Sequence, residues 1–160
     1  MTESEETLPE APAARVEAVL DEVVDALDLA AQVSVSEDPE EIVGRIDGED
    51  LGVLIGRRGQ TIDALQMLCY RIAFRGQGER KRVTVDAAGY RERRRDAVEG
   101  QAERAASRAL ETGKEIELEP MSATERKLVH DHLKDRPGLE TFSEGEEPER
   151  CVIVAPLVGD

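Results

Sequence analysis

Apolar residues recur every three or four positions early in the chain, which is the spacing of one face of a helix. The apolar stripe consists of Val16, Val19, Leu20, Val23, Val24 and Leu27. Polar and apolar residues then alternate around Val33 and Val35 and again over residues 42–46, on either side of Glu37-Asp38-Pro39-Glu40. Period-two alternation predicts strands, and the acidic run with its proline predicts a turn. The first 50 residues therefore predict a helix followed by a β-hairpin.

A second helical stretch is interrupted by two arginines between two glycines. The pattern predicts a short helix from Leu51 to Ile55 and a longer one from about Gln60 to Arg75, separated by Gly56-Arg57-Arg58-Gly59. Residues 80–86 alternate and predict a strand. Up to this strand, the predicted order is helix, strand, strand, helix, turn, helix, strand.

The second half of the chain predicts a smaller α/β unit. A long helix begins at Tyr90 and is expected to end at Gly113, because glycine commonly terminates helices. Residues 114–119 alternate as a strand, and Ser122-x-x-Glu125 predicts a capping box that begins a helix reaching about residue 134. Residues 139–143 and 150–155 complete a predicted three-stranded sheet with helices packed on it.

At the N-terminal end of the chain, residues 1–12 are acidic, contain two prolines and are expected to form a disordered tail.

The charges are distributed unevenly along the chain. A net charge of −15 disfavours contact with phosphate over the molecule as a whole. Residues 51–95, however, contain 11 basic and 4 acidic side chains, whereas residues 1–50 contain 2 and 16, and residues 96–160 contain 8 and 16. A basic segment inside an acidic chain favours local phosphate binding with repulsion elsewhere.

The composition excludes several kinds of chemistry. With two Phe, two Tyr and no Trp, the cores are expected to be aliphatic, and an aromatic base-stacking platform is disfavoured. Cys69 and Cys151 lie far apart and lack Cys-x-x-Cys spacing, so neither a disulfide framework nor a metal or cofactor site is expected. No signal segment opens the chain, and no apolar run approaches the roughly 18 residues that span a bilayer. We therefore expect a soluble cytoplasmic protein with reduced cysteines and without membrane insertion.

The turn from Gly56 to Gly59 is suited to binding an anion. The two glycines permit a tight turn and a close approach to backbone amides, and a helix N-terminus favours phosphate. Arg57 and Arg58 add directional, bidentate donors. The motif is short, so a surface turn with two solvated arginines is an alternative interpretation. Leu54, Ile55, Ile62 and Leu65 are expected to form an aliphatic wall beside a bound nucleic-acid strand, with some of these positions in the core.

The order of elements around this turn resembles a type II KH domain. In KH domains, a Gly-x-x-Gly loop holds the backbone of about four single-stranded nucleotides. The resemblance places this domain over residues 13–88, after the acidic tail.

A second resemblance is based on Arg126 and His130, which are four residues apart and therefore share a helix face. Spacing alone also permits an arginine paired with a carboxylate and an ordinary half-buried histidine. The surrounding segments Glu117-Leu-Glu-Pro-Met, Glu125-Arg-Lys-Leu-Val-His and Thr141-Phe-Ser-Glu-Gly-Glu-Glu-Pro-Glu-Arg are similar to the landmarks of the R-three-H domain. That domain is expected over residues 89–160.

Taken together with Gly52-Val-Leu-Ile-Gly-Arg-Arg-Gly-Gln-Thr and Asp86-Ala-Ala-Gly-Tyr-Arg-Glu-Arg-Arg, these motifs resemble the bacterial Jag family, also called SpoIIIJ-associated or KhpB-type proteins. The resemblance implies an α+β chain in which a type II KH domain is joined by a long helix to a small R-three-H domain. It also implies cytoplasmic binding of single-stranded RNA and regulation linked to cell-envelope elongation, division or sporulation. The implied nucleic-acid-binding residues are Gly56, Arg57, Arg58, Gly59, Gln60, Arg94, Arg95, Arg126, His130 and Arg150.

Two differences from the family pattern affect these expectations. Many members carry an N-terminal Jag domain, where this sequence has only the acidic tail. Arg150 is followed by Cys151, at a position where a second basic residue is frequent.

The arginines near the start of the long helix oppose its dipole, so a ligand or a carboxylate is expected to offset them. A solvated, charged helix face is the alternative interpretation of those arginines.

Other functions are kept open by the sequence. The chain is alternatively a protein-interaction scaffold that partners a small KH-only protein, a homo-oligomer, or a binder of single-stranded DNA. An enzyme is not expected, because Gly52-x-x-x-Gly56-Arg57 lacks the lysine and hydroxyl of a nucleotide-binding phosphate loop.

Overall fold

The computed structural model describes residues 9–157, which divide into two compact units between Arg91 and Glu92. The first unit contains α1 (Pro12–Ala26), β1 (Ala31–Glu37), β2 (Glu41–Gly48), α2 (Gly52–Ile55), a 3-10 turn (Arg57–Gly59), α3 (Gln60–Ala73) and β3 (Arg82–Ala87). This is the element order predicted from the sequence, and it confirms the type II KH arrangement. Residues 1–8 of the predicted tail lie outside the described residues.

The tail prediction extended too far into the chain. The carbonyl of Pro9 accepts a hydrogen bond from Arg15 Nε at 2.5 Å, and that of Glu10 accepts one from Gln77 Nε2 at 3.1 Å. Pro12 is the first residue of α1, where its fixed φ suits the helix and its missing N–H costs no hydrogen bond.

The sheet of the first unit has the order β1-β2-β3, with β1 antiparallel and β3 parallel to β2. Its inner face carries Ile42 and Ile46, which pack with the α1 stripe residues Val16 and Leu20 in one core. A Cβ on Gly44 would lie 2.6 Å from Leu20 Cδ1, so glycine at this position lets α1 pack closely against β2. The helical and strand periodicities of the sequence thus meet in a single aliphatic core.

The second unit contains most of α4 (Tyr90–Thr112), followed by β4 (Ile116–Glu117), α5 (Ala123–Leu133), β5 (Leu139–Glu144) and β6 (Cys151–Pro156). Its sheet has the order β4-β6-β5 with antiparallel pairing, which confirms the predicted three-stranded sheet. Gly113, at a φ of 65°, follows the last residue of α4 as predicted.

β4 is shorter than the strand predicted over residues 114–119. Beyond its two residues, the Leu118 amide donates to the Val152 carbonyl and the Met121 amide donates to the Arg150 carbonyl. Pro120 has no amide hydrogen and interrupts the regular ladder between these two bonds. The segment therefore follows β6 without forming a continuous strand.

The core of the second unit is built on small residues of α4. Val98, Ala102, Ala106 and Ala109 are fully buried and pack in one cluster with Val129 of α5 and with the β6 residues Val152 and Val154. Within residues 9–157, no helix combines the length and the apolar character needed to cross a bilayer.

Candidate nucleic-acid interface

The Gly56 to Gly59 turn lies between the last residue of α2 and the first of α3. Three of its residues have positive φ: Gly56 (71°), Arg58 (54°) and Gly59 (77°). Left-handed backbone is strained for residues with a Cβ, so two of these positions favour glycine. The turn thereby places Gln60, an exposed residue, at the start of α3.

Both glycines are also required by their neighbours. A Cβ on Gly56 would lie 2.1 Å from Thr61 Oγ1, and a Cβ on Gly59 would lie 2.7 Å from Cε1 of Tyr90. These distances are well inside van der Waals contact. The backbone shape of the turn is therefore held by packing on α3 and on the Tyr90 ring.

Arg57 and Arg58 differ from Arg91, the arginine that forms an ion pair among the described residues of the first unit. Arg57 is exposed and Arg58 is half-buried, and neither forms an ion pair with any carboxylate in residues 9–157. Arg91, by contrast, pairs with Asp63 at 2.8 Å and donates to the Val85 carbonyl at 2.7 Å. The turn therefore presents two guanidinium groups whose charge is not offset by a described carboxylate.

The predicted aliphatic wall is wrong for three of its four residues. Leu54, Ile62 and Leu65 are 1%, 0% and 7% exposed and belong to the core of the first unit. Their helical spacing is the signal of the buried face. The large apolar side chains that α2 and α3 expose are instead Val53, Met67 and Leu68.

The arginines at the start of α4 are offset by carboxylates, as expected from the helix dipole. Arg94 Nε contacts Glu125 Oε1 at 2.6 Å, while Arg95 is mostly exposed and lies 3.7 Å from Glu99. The amide of Arg91 donates to Asp86 Oδ1, which caps the helix start. Of the two predicted contact residues here, Arg95 has the more accessible side chain.

Glu125 connects the long helix to the start of α5. Burial alone would raise the pKa of Glu125, but the hydrogen bonds from Arg94 and the Ser122 amide outweigh it and lower that pKa below its ordinary value. Ser122 Oγ in turn accepts the Glu125 amide, which completes the predicted capping box.

Arg126 is more buried than the prediction of a phosphate contact requires. Its side chain is 9% exposed, Nη1 donates to the Met121 carbonyl at 2.7 Å, and Nη2 contacts Glu147 Oε1 at 2.5 Å. The alternative considered from the spacing, an arginine paired with a carboxylate, describes this arrangement. A phosphate contact by Arg126 stays a prediction.

His130 lies one turn from Arg126 and contacts β5. Its Nδ1 is 2.7 Å from Thr141 Oγ1 and its Nε2 is 3.1 Å from Ser143 Oγ. Burial, opposed by Asp131 and reinforced by Arg126, lowers the pKa of His130 below its ordinary value. A neutral imidazole, donating at one nitrogen and accepting at the other, suits two hydroxyl partners.

His130 also borders an open groove between α5 and β5. The groove has a volume of about 550 Å³, and its lining includes Lys134, Thr141 and Ser143. The hydroxyl partners were missed from the sequence, because only the pairing of β5 with β6 brings them opposite α5. Arg150, the last predicted contact, donates to the Gly145 carbonyl at 2.6 Å and so folds the loop before β6.

Both cysteines are free, buried thiols. Burial raises the pKa of Cys69 to about 12, and burial together with Glu117 and Glu144 raises that of Cys151. Within the described part of the chain, no three His, Cys, Asp or Glu side chains are grouped to hold a metal ion.

The two units together define the class of protein, a KH domain followed by an R-three-H domain. A family model described as the KH domain of KhpA/KhpB matches residues 13–85, and a model described as the R-three-H domain matches residues 96–156.

Comparison with characterised proteins identifies the family. The chain is 35% identical to the "RNA-binding protein KhpB" of Bacillus subtilis over 146 residues, which cover 90% of the chain and 70% of that protein. It is 38% identical to the KhpB of Clostridium symbiosum over 138 residues, covering 85% of the chain and 62% of that protein. The KhpB of Streptococcus pneumoniae is 32% identical, with 89% and 43% covered. The chain belongs to the KhpB family, which is the Jag family indicated by its motifs, and it spans less than two thirds of several relatives.

Proposed function

We propose that this chain binds single-stranded RNA in the cytoplasm as a post-transcriptional regulator and performs no catalysis. The observation that carries the proposal is the Gly56 to Gly59 turn, with positive φ at three of its four residues and two guanidinium groups without a described carboxylate partner. The relatives that match the chain are named RNA-binding proteins, which supports the same ligand.

The mechanism follows from the geometry of the turn. Arg57 and Arg58 contact successive phosphates, while the start of α3 adds the attraction of its helix dipole. Such contacts recognise the backbone of a strand, which suits a module without an exposed aromatic platform. In the second unit, the proposed further contacts are Arg94, Arg95, Arg126, His130 and Arg150.

The decisive experiment replaces both arginines of the turn. We expect Arg57→Asp with Arg58→Asp to weaken binding of a labelled single-stranded RNA by roughly 100-fold, because two charge-assisted contacts of about 1.5 kcal/mol each are lost. Fluorescence polarisation measures the affinity, and competition with single-stranded DNA of the same sequence tests the preference for RNA.

The matched control is Arg104→Asp with Arg108→Asp. Both arginines are exposed on α4, and their replacement changes the net charge by the same amount. If the two double variants weaken binding equally, the turn has no specific part in RNA binding.

A second function, docking of a small KH-only protein or of another copy of the chain, is favoured by the exposed apolar residues of α2 and α3. Val53 and Met67 are each 55% exposed and Leu68 is 46% exposed. Co-purification of a KH protein after nuclease treatment, with no binding of RNA at physiological salt, would support this function in place of the first. A link to cell-envelope elongation or division is proposed from the family alone and is tested by sequencing the RNA crosslinked to the protein in cells.

A further inference from the structure

The arginine of the Arg-x-x-x-His motif has its guanidinium held on two sides by the protein. The Met121 carbonyl accepts from Nη1, and the Glu147 carboxylate accepts from Nη2. The first partner is a backbone atom next to the start of α5 and is fixed by the fold. The second is a side chain of the loop between β5 and β6. An anion that takes the Nη2 hydrogen now bonded to Glu147 must therefore displace that carboxylate.

Arg126 and Glu147 differ sharply in their exposure. The Arg126 side chain is 9% exposed, whereas the Glu147 side chain is 59% exposed. Rotation of Glu147 into water is favourable for the carboxylate itself, because its side chain is already largely exposed. A buried guanidinium without an anion is costly, so departure of Glu147 requires a replacement anion. A phosphate oxygen meets this requirement, since it forms the same charge-assisted hydrogen bond as a carboxylate.

We propose that Glu147 is an intramolecular competitor that occupies the anion site of Arg126 until an RNA phosphate replaces it. The inference rests on the RNA binding proposed above and adds a control on one of its sites. Arg126 is then a phosphate ligand only in the bound state. A strand must already be held by other contacts, so that its local concentration is sufficient to displace Glu147.

The test compares Glu147→Gln with Glu146→Gln. The two substitutions remove one charge each from adjacent, exposed positions of the same loop, and only Glu147 contacts Arg126. Glutamine keeps the size of the side chain but competes weakly for a guanidinium. We expect E147Q to bind a labelled single-stranded RNA about 2- to 5-fold more tightly than E146Q, the range of an ion pair with an exposed partner.

Each outcome of this comparison is informative. Equal affinities of E147Q and E146Q overturn the inference while leaving RNA binding intact. Weaker binding by E147Q shows that the pair only holds the loop, which also overturns it. Absence of RNA binding by the unmodified chain removes the proposed function and the inference with it.

A second measurement does not depend on the folding of a variant. In the unmodified chain, the side-chain carboxyl ¹³C resonance of Glu147 is expected to move to the position of a solvated glutamate when RNA is added. The carboxyl resonance of Glu146 serves as the reference within the same loop. An unchanged Glu147 resonance at saturating RNA shows that the pair stays intact and overturns the inference.

Discussion

Gly59 combines two separate reasons for having no side chain. Its φ of 77° is strained for any other residue, and a Cβ would lie 2.7 Å from Tyr90 Cε1. Gly76 has nearly the same φ, 76°, but nothing lies within 4 Å of the place that its Cβ would take. The two glycines therefore separate the backbone cost of a side chain from its packing cost.

We predict that Gly59→Ala lowers the free energy of unfolding by about 3 kcal/mol, and Gly76→Ala by only about 1 kcal/mol. Backbone strain of about 1 kcal/mol is common to both, and displacement of the Tyr90 ring adds roughly 2 kcal/mol at Gly59. Urea unfolding followed by circular dichroism measures both values. Equal losses would mean that the Tyr90 ring moves away without cost, and that the turn is not held by packing.

In the second unit, the sequence predicted which residues share a helix face but not which residues they contact. The spacing of Arg126 and His130 correctly placed them on one face of a capped helix. Their partners were not predictable, because Glu147 and Thr141 are more than ten positions away and reach α5 only through the fold of the β5–β6 hairpin. In the first unit, the same helical period that marked Ile62 as a candidate base contact is the mark of a core residue. Periodicity identifies the apolar face of a helix, but only the fold shows whether that face packs in the core or is open to a ligand.

Between elements, the start of α5 is joined to α4 by a partly buried ion pair. The side chains of Arg94 and Glu125 are 19% and 15% exposed, and Glu125 also closes the capping box with Ser122. The capping box was predicted from four residues of local sequence, but its partner on α4 lies 31 positions earlier. The Glu125 carboxylate therefore both pairs with an arginine near the start of α4 and closes the capping box of α5. Local sequence signals do not reveal this coupling.

We predict that Glu125→Gln lowers the free energy of unfolding by about 1 kcal/mol at pH 7, since glutamine retains the capping box but loses the charge pair with Arg94. The folded-state pKa of Glu125 is lowered, so its contribution is present above the unfolded value of about 4.3 and is lost as the pH falls through the folded value. Urea unfolding across pH 3 to 7 should therefore show the variant and the unmodified chain converging in acid.

Glu140→Gln, an exposed position on β5, is the control for this experiment. A pH-independent difference between E125Q and the unmodified chain would contradict the assignment, because it would mean that the loss arises from packing and not from the charge.

At the scale of the whole molecule, a net charge of −15 surrounds a segment with 11 basic and 4 acidic residues. The sequence showed this segment correctly, but not which of its cations are already neutralised. Arg91 and Arg94 are paired with carboxylates, whereas Arg57 and Arg58 are not paired with any described one. The positive charge available to a ligand is therefore smaller than the composition suggests, since Lys81, Arg91, Arg94 and Arg95 are already paired. This arrangement favours few phosphate contacts and disfavours the broad, nonspecific attraction of a basic protein.

The salt dependence of RNA binding counts these contacts. For single strands, the logarithm of the association constant falls with the logarithm of salt concentration with a slope of about −0.7 for each phosphate contacted. If Arg57 and Arg58 contact one phosphate each, Arg57→Asp with Arg58→Asp makes the slope less steep by about 1.4.

The Arg104→Asp, Arg108→Asp control loses the same net charge and should keep the slope of the unmodified chain, since counterion release depends on contacts and not on total charge. Polarisation titrations between roughly 0.05 and 0.3 M salt, within the range where this relation holds, measure all three slopes. If both double variants changed the slope equally, the long-range field of the chain would be the source of the affinity, and the turn would lose its place as the phosphate-binding element.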